Sequence, residues 1–361
     1  MFLLASREDP LPSVALEAMS AGTPVVAFEE AGGIGEAIAR LGGGACVRLG
    51  DAAAMVRVAL ELVAAASPAT ARRLARDSRA AFDFGRYCAR LLAIAAPALP
   101  TVSVVVPSYD YARHLPMRLA SIFAQTLPVH EVIVLDDASS DDSVAVAQAT
   151  AAAWRRDIVV EARPANSGSV FAQWRRGAEL AQGDWLWIAE ADDSCEPAFL
   201  ATLAAAIARA RDPVLAFCDS RAMDEAGETT HADYKAYYAS AAPGTLARDG
   251  VFEGAEFLRT HLAERNLILN ASGVLWRRSA LLAALRRCEA DLKRLRLAGD
   301  WRLYAEALAR PGAQVAYVAA PLNHHRRHPG SVTARLSPAS HAVEIGQVRG
   351  AVARLLKARP P

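Results

Sequence analysis

Apolar positions along this chain come in two rhythms: short runs rich in Val, Ile and Trp, and longer stretches where they recur every three or four residues. The first rhythm predicts buried strands and the second amphipathic helices. Val102 to Val106 (VSVVV) is a β-branched run ending in Pro107-Ser108-Tyr109-Asp110, and Leu115, Leu119, Ile122 and Phe123 then share one helical face. Val132-Ile133-Val134-Leu135 is the next strand. It stops at Asp136-Asp137-Ala138-Ser139-Ser140-Asp141-Asp142, whose serines and aspartates suit the start of a helix near Ser143. Further strands near Ile158, Trp185 and Val214 alternate with helical segments, and others are expected near Leu267–Trp276 and Val315–Val318. That alternation predicts an α/β protein with a largely parallel, doubly wound sheet. A helical tail from Ser340 to Arg359 carries Val343, Val348, Val352 and Leu355 and is expected to pack against the body.

Ala96-Pro97-Ala98-Leu99-Pro100-Thr101 interrupts the pattern and reads as a connector. It divides the chain into residues 1–96, a linker at 97–101, a main domain at 102–336 and the tail at 337–361. Ahead of it, Leu3 to Phe28 reads strand, Pro-rich loop, short helix, strand, and Gly32-Gly33 opens another helix where backbone N–H groups can meet an anion. Between Asp219 and Val251 the pattern weakens. Thr229, Thr230, His231, Tyr234, Tyr237 and Tyr238 occupy a polar, aromatic insertion, read as an acceptor-side loop with an inert surface excursion nearly as good.

Chemistry concentrates where strands run out. Trp185-Leu186-Trp187-Ile188 leads through Ala189 into Glu190-Ala191-Asp192-Asp193, so three acids stand at the carboxyl end of an apolar strand, where open α/β sheets bind ligands. Taken alone, such a triplet is more often a solvated turn capping the next helix; as hard oxygen ligands the acids suit Mg²⁺ or Mn²⁺ carrying a phosphate-containing substrate. Asp141 and Asp142 are read as helix caps, and for Asp137 capping and ligand contact are equally good. Asn166-Ser167-Gly168 is read as a plain helix cap ahead of a phosphate cradle. Downstream stand Gly299-Asp300-Trp301, opening a helical run, and Asn323-His324-His325-Arg326-Arg327-His328-Pro329-Gly330-Ser331-Val332-Thr333. The His spacing is a weak zinc signal. Phosphate neutralisation by Arg326, Arg327 and His328 fits better, since guanidinium forks bind phosphate bidentately.

Composition narrows the class. With 361 residues, 53% hydrophobic and 22% charged, the chain is long enough for two folded domains. A net charge of +1 argues against an extended nucleic-acid surface. Cys46, Cys88, Cys195, Cys218 and Cys288 are scattered, without a disulfide or CxxC pattern, which points to a reducing cytoplasm. No secretory signal is expected at Met1, and the uncharged stretch Leu91–Tyr109 is broken by Pro97, Pro100 and Pro107. Peripheral attachment at the inner face of a membrane stays open.

In order, VVVPSYDY, VLDDASSDD, WIAEADD, AGDW and RRHPGSVT resemble the inverting glycosyltransferases of family 2, over about Pro100 to Leu336. The resemblance implies the A-type nucleotide-diphospho-sugar transferase fold, a doubly wound mixed sheet. It also implies a nucleoside-diphosphate sugar donor, Mg²⁺ or Mn²⁺, and a glycan or lipid-linked hydroxyl acceptor in cell-surface polysaccharide or glycolipid assembly. Carried over, Pro107, Tyr109 and Asp137 match nucleobase positions. Glu190 and Asp192 match the acids of the DxD metal motif and Asp193 the acid that follows it. Asp300 matches the general base, and Arg327 and His328 fall in the loop over the diphosphate, where His328 is a further metal ligand. Two departures stand out: Glu190 replaces the usual Asp, and Gly299 replaces the acid that often precedes the base.

Residues Phe2 to Ala95 resemble the donor-binding half of the B-type retaining glycosyltransferases of family 4, with Asp9 and Glu17 at that family's acid-x7-Glu spacing. Lacking an acceptor half, this truncated B-type α/β half-domain is expected to be a folded appendage. Two rivals to an enzyme of family 2 are weighed. A nucleotidyltransferase needs a basic triphosphate loop that Pro107-Ser108-Tyr109-Asp110 lacks. A catalytically silent sugar-nucleotide-binding or scaffold module is the other.

Overall fold

The chain divides into two compact units, Met1–Tyr87 and Cys88–Pro361. The computed structural model describes every residue except 84–86, 89–90, 92–93, 96–98, 242, 329–336 and 359–361. The division falls ahead of the expected connector, of which Ala96, Pro97 and Ala98 lie outside the described residues.

In the first unit β1 (Phe2–Leu4), β2 (Val25–Phe28) and β3 (Gly44–Val47) form a parallel sheet in the order β1-β2-β3. Side chains alternate across β2. Val25 and Ala27 join Leu4, Ala15, Met19, Ile34 and Leu74 on one face, while Val26 and Phe28 join Val47, Met55 and Ala59 on the other. Local chemistry sets the helix starts: Ser67 and Thr70 form a reciprocal capping box before Pro68–Ala81, with Pro at its first turn. Gly32 has a φ of 135°, and a Cβ there would lie 1.7 Å from the Asp9 carbonyl oxygen, so only glycine admits that approach. The Gly33 N–H, expected to be open to an anion, donates to the Pro10 carbonyl at 2.7 Å. Glu17 is exposed on the helix Ser13–Ser20.

The second unit holds β4 (Val102–Ser108), β5 (Glu131–Asp136), β6 (Val159–Ala162), β7 (Trp185–Ile188), β8 (Ser194–Cys195), β9 (Pro213–Met223), β10 (Thr229–His231), β11 (Gly250–Glu253), β12 (Val274–Arg277) and β13 (Gln314–Arg326). The sheet order is β11-β13-β9-β12-β7-β4-β5-β6, with β10 on β9 and β8 on β13. β4, β5, β6 and β7 are mutually parallel and so are β9 and β13, but β12 runs antiparallel to both β7 and β9. The sheet is therefore mixed rather than largely parallel, as in the A-type fold. Val105, Leu186, Ile188, Phe217 and Trp276 pack on one face under helices that include Val170–Leu180 and Gly299–Leu308; Val104, Val106, Trp187, Cys218 and Leu275 pack on the other under Leu115–Phe123 and Phe199–Ile207. Helices on both faces bury every strand side chain of β4, β7 and β12 except that of Arg277, which explains their nearly unbroken apolar runs. Pro107 fits within β4 because β7 pairs only with Val102–Val105, so that edge is free of ladder bonds at the proline.

Two boundaries differ from expectation. The strand expected at Leu267–Trp276 begins only at Val274, after a 3-10 turn at Ala271–Gly273, because Asn266 and Asn270 turn their amides to distant carboxylates. The strand expected at Val315–Val318 runs on to Arg326, paired with β9 along its length. The tail forms the helix Pro338–Lys357 with Val348 and Val352 in the core, while Val343 is exposed.

Candidate functional site

β4, β5, β7, β9 and β13 all end at one edge of the sheet, and antiparallel β12 begins there. The loops of that edge carry the expected site residues. At the β4 and β5 ends, Asp110 adopts a left-handed φ of 58° and accepts from the Ser140 N–H at 2.6 Å, while its own N–H donates to Ser139 Oγ at 2.9 Å. Asp141 accepts from the N–H groups of Ala112 and Ser143, which clasps the two loops together. Asp142 makes no side-chain cap, contrary to its expected role, because Asp141 already holds the Ser143 N–H. Tyr109 is 46% exposed beside this clasp and Pro107 is buried. Asp137 is buried and accepts from both the N–H and Oγ of Ser167, with Arg163 Nε 3.4 Å away. Asn166-Ser167-Gly168 is thus anchored to the end of β5. It is not a plain cap of the helix Val170–Leu180, whose N-cap Ser169 makes no side-chain bond.

The three acids after β7 have three different environments. Glu190 accepts from Trp174 Nε1 at 3.1 Å, and its carbonyl accepts from Arg118 Nε at 2.8 Å. Burial, reinforced by Asp192 and Asp193, pushes its carboxyl up to about 8. Asp193 is turned into the protein, accepting from Asn270 Nδ2 at 3.0 Å and from the Arg326 backbone N–H at 2.8 Å. Asp192 lies 3.0 Å from His328 Nε2, and burial followed by the Asp193 charge raises its carboxyl against the His328 hydrogen bond. Arg326 is 3% exposed and donates to the carbonyls of Asp192, Asp224 and Glu225, so its guanidinium is committed to the protein rather than to a phosphate. Arg327 is exposed. Pro329 to Thr333 of the same loop lie outside the described residues. His324 and His325 are also engaged, the first by Ser194 and Glu196 and the second by Tyr234.

Among the described residues no three His, Cys, Asp or Glu side chains converge as a closed metal site. Asp192 and His328 nevertheless present an oxygen and a nitrogen in the lining of one cavity. The Asp192 carboxylate fits Mg²⁺ or Mn²⁺ completed by phosphate oxygens and water, whereas the His328 imidazole suits a transition metal better than Mg²⁺. Glu190 is tied to Trp174 on the same side.

The cavity measures about 930 Å³ and brings Glu190, Asp192, Asp300 and His328 together. Asp300 stands in the first turn of the helix Gly299–Leu308, accepting from the Trp301 N–H at 2.6 Å and from Asn266 Nδ2 at 3.3 Å. Burial pushes its carboxyl up to about 7, against both hydrogen bonds. Gly299 has a steric cause: a Cβ there would lie 2.3 Å from the Phe171 ring, so the acid common before the base has no room. From the aromatic insertion, Tyr234 and Tyr237 line the cavity while Tyr238 is buried in the core. Sequence reasoning missed Arg118, Trp174, Asn266, Asn270 and Glu344. All act through contacts distant in sequence; the one local signal was Glu344, the sole acid in its helix.

Residues 103–266 match the family model described as Glycosyl transferase family 2, and residues 1–80 match Glycosyl transferases group 1. The first match ends before Asp300 and His328. The chain is 30% identical over 165 residues to the uncharacterized glycosyltransferase YibD of Escherichia coli (strain K12), covering 45% of this chain and 44% of YibD. It is 33% identical over 97 residues to the PGL/p-HBAD biosynthesis glycosyltransferase Rv2957 of Mycobacterium tuberculosis (strain ATCC 25618 / H37Rv), covering 27% and 37% of the two chains. The chain thus spans less than half the length of these curated relatives. Among solved structures, S. aureus TarS 1–349 in complex with UDP-GlcNAc aligns with a TM-score of 0.51 at 15% identity, covering 70% of this chain and 66% of that one, a likeness of fold.

Proposed function

We propose that this chain, which carries a glycosyl transferase family 2 domain at residues 103–266 behind a group 1 segment at residues 1–80, transfers a sugar from a nucleoside-diphosphate sugar to a hydroxyl acceptor with inversion. The observation that carries the reading is the shared cavity: the Asp192–His328 pair and the buried carboxyl of Asp300 face one volume at the strand ends. A UDP-sugar is the first donor to test, since TarS was crystallised with UDP and with UDP-GlcNAc. In this reading the nucleoside sits against Tyr109 and the β4 and β5 loops, and Arg327 meets the diphosphate. Asp192 and His328 would hold a divalent cation, which when bound offsets the charge growing on the leaving diphosphate.

Asp300 supplies the base. As the acceptor oxygen bonds to the anomeric carbon and the bond from that carbon to the diphosphate oxygen breaks, the hydroxyl proton passes to the Asp300 carboxylate. A carboxyl raised to about 7 suits this task, because it is a stronger base than an ordinary Asp and still substantially ionised at neutral pH. A glycan or lipid-linked acceptor in cell-surface polymer or glycolipid assembly would enter past Tyr234 and Tyr237. Among the described residues no single helix is long and apolar enough to cross a membrane.

The test is to incubate the intact chain with a panel of nucleoside-diphosphate sugars and hydroxyl acceptors, with Mn²⁺ or with EDTA. Release of nucleoside diphosphate that requires both metal and acceptor is expected, together with thermal stabilisation by UDP and Mn²⁺. Binding without release under any acceptor would identify a silent nucleotide-sugar module. Neither binding nor release by any donor would sink the reading.

A further inference from the structure

The helix Pro338–Lys357 presents two faces to different parts of the molecule. His341, Ile345 and Arg349 line the cavity that holds Asp300, whereas Val348 and Val352 join the core cluster that contains Trp301. Between these faces Glu344, 7% exposed, points at the segment leading into Asp300. Its Oε1 accepts from the Arg296 N–H at 2.9 Å, and its Oε2 accepts from the N–H groups of Leu297 at 2.8 Å and Ala298 at 3.0 Å. Ala298 is the N-cap residue of the helix that begins Gly299-Asp300.

From this geometry we infer that Glu344 is a positioning residue for Asp300: it clamps residues 296–298 and so sets where the base stands in the cavity. The inference rests on Asp300 being the base. Residues 293–298 have no helix or strand of their own to fix their path. Three N–H donors converging on one carboxylate replace that missing structure with charge-assisted bonds. Asn266 holds the Asp300 carboxylate from one side and Gly299 is wedged against Phe171 on another, so the Glu344 clamp completes the restraint. A shift of the base by about 1 Å can cost on the order of 10²-fold in rate.

The experiment compares Glu344→Gln, Glu344→Asp and, as a control for mere destabilisation, Val348→Ala in the full chain. Three things are read: melting temperature, kcat and KM for donor and acceptor, and the titration of the Asp300 carboxyl by carbon-13 NMR in the absence of substrate. Glu344→Gln is expected to lower kcat at least tenfold with donor KM unchanged, and to move the Asp300 titration and the acid limb of the kcat profile together. Glu344→Asp keeps the charge and should recover part of both. Val348→Ala should lower the melting temperature without touching either. A folded Glu344→Gln protein with wild-type kcat and an unmoved titration would overturn the inference. So would failure of both Glu344 variants to fold, which would make the residue one of stability alone. A wild-type chain that transfers no sugar refutes Asp300 as base, while a titration shift in Glu344→Gln would still establish the positioning.

Discussion

At the residue scale, the proposed mechanism divides the work between Asp192, assigned to the diphosphate, and Asp300, assigned to the acceptor. Replacing Asp192 with Ala leaves His328 without its carboxylate partner and removes the carboxylate that the proposal assigns to the metal. Mn²⁺-dependent binding of nucleoside diphosphate should then be lost together with transfer; calorimetry showing tight, metal-dependent binding by the variant would refute this. Asp300→Asn should leave donor affinity near wild type and reduce turnover by about 10² to 10⁴, the usual contribution of a positioned base. Stability reads the burial of Asp300 independently of turnover. Unfolded Asp300 releases its proton near 3.8 and folded Asp300 near 7, so between those values the native state binds the extra proton. The associated stability is complete below pH 3.8 and lost as pH rises through about 7. Asn cannot ionise, so Asp300→Asn should melt higher than wild type at pH 8 and draw level near pH 4. Equal melting temperatures across that window would show that Asp300 is not desolvated as described.

Elements explain why the site departs from the family pattern without losing its shape. The helix Gly299–Leu308 packs its first residue against Phe171 of Val170–Leu180, which excludes any side chain at that position. Gly299→Asp, which restores the more usual acid, is therefore expected to destabilise the fold by about 1 to 3 kcal/mol through overpacking. Combining it with Phe171→Ala should cost less than the sum of the two single changes, because the clash then has space to relax. Additive denaturation energies would argue that the clash is relieved elsewhere. The same packing logic gives Arg326 its role. Placed at the end of β13, its guanidinium ties the Asp192 carbonyl to the 224–225 turn, so it orders the acidic loop.

At the scale of the whole molecule, Met1–Tyr87 and Cys88–Pro361 each have their own sheet and their own core. The cavity with Asp192 and Asp300 is built wholly from the second unit. Removing Met1–Tyr87 should leave a folded protein with the same donor affinity and measurable transfer. A truncated chain that folds and binds donor yet transfers nothing would make the first unit part of the active machinery rather than an appendage.

The amino-acid order by itself determined the alternation of strands and helices and the placing of Glu190, Asp192 and Asp193 beyond an apolar strand. Both follow from local rules: side-chain period reports burial, and polar residues gather where a buried strand emerges. The antiparallel course of β12 was not legible, since an apolar run carries no direction. Nor was the division of labour among neighbouring acids. Asp193 lines the same cavity, but its carboxylate is engaged by Asn270 and the Arg326 N–H, 77 and 133 residues along the chain, while Asp192 is left facing His328. The basicity of Asp300 was equally hidden, because it comes from burial under elements that only the assembled sheet brings together. Tertiary structure decided which carboxylates are tied to backbone and amide partners and which face His328 or lie desolvated, because desolvation and hydrogen-bond partners are properties of the packed neighbourhood.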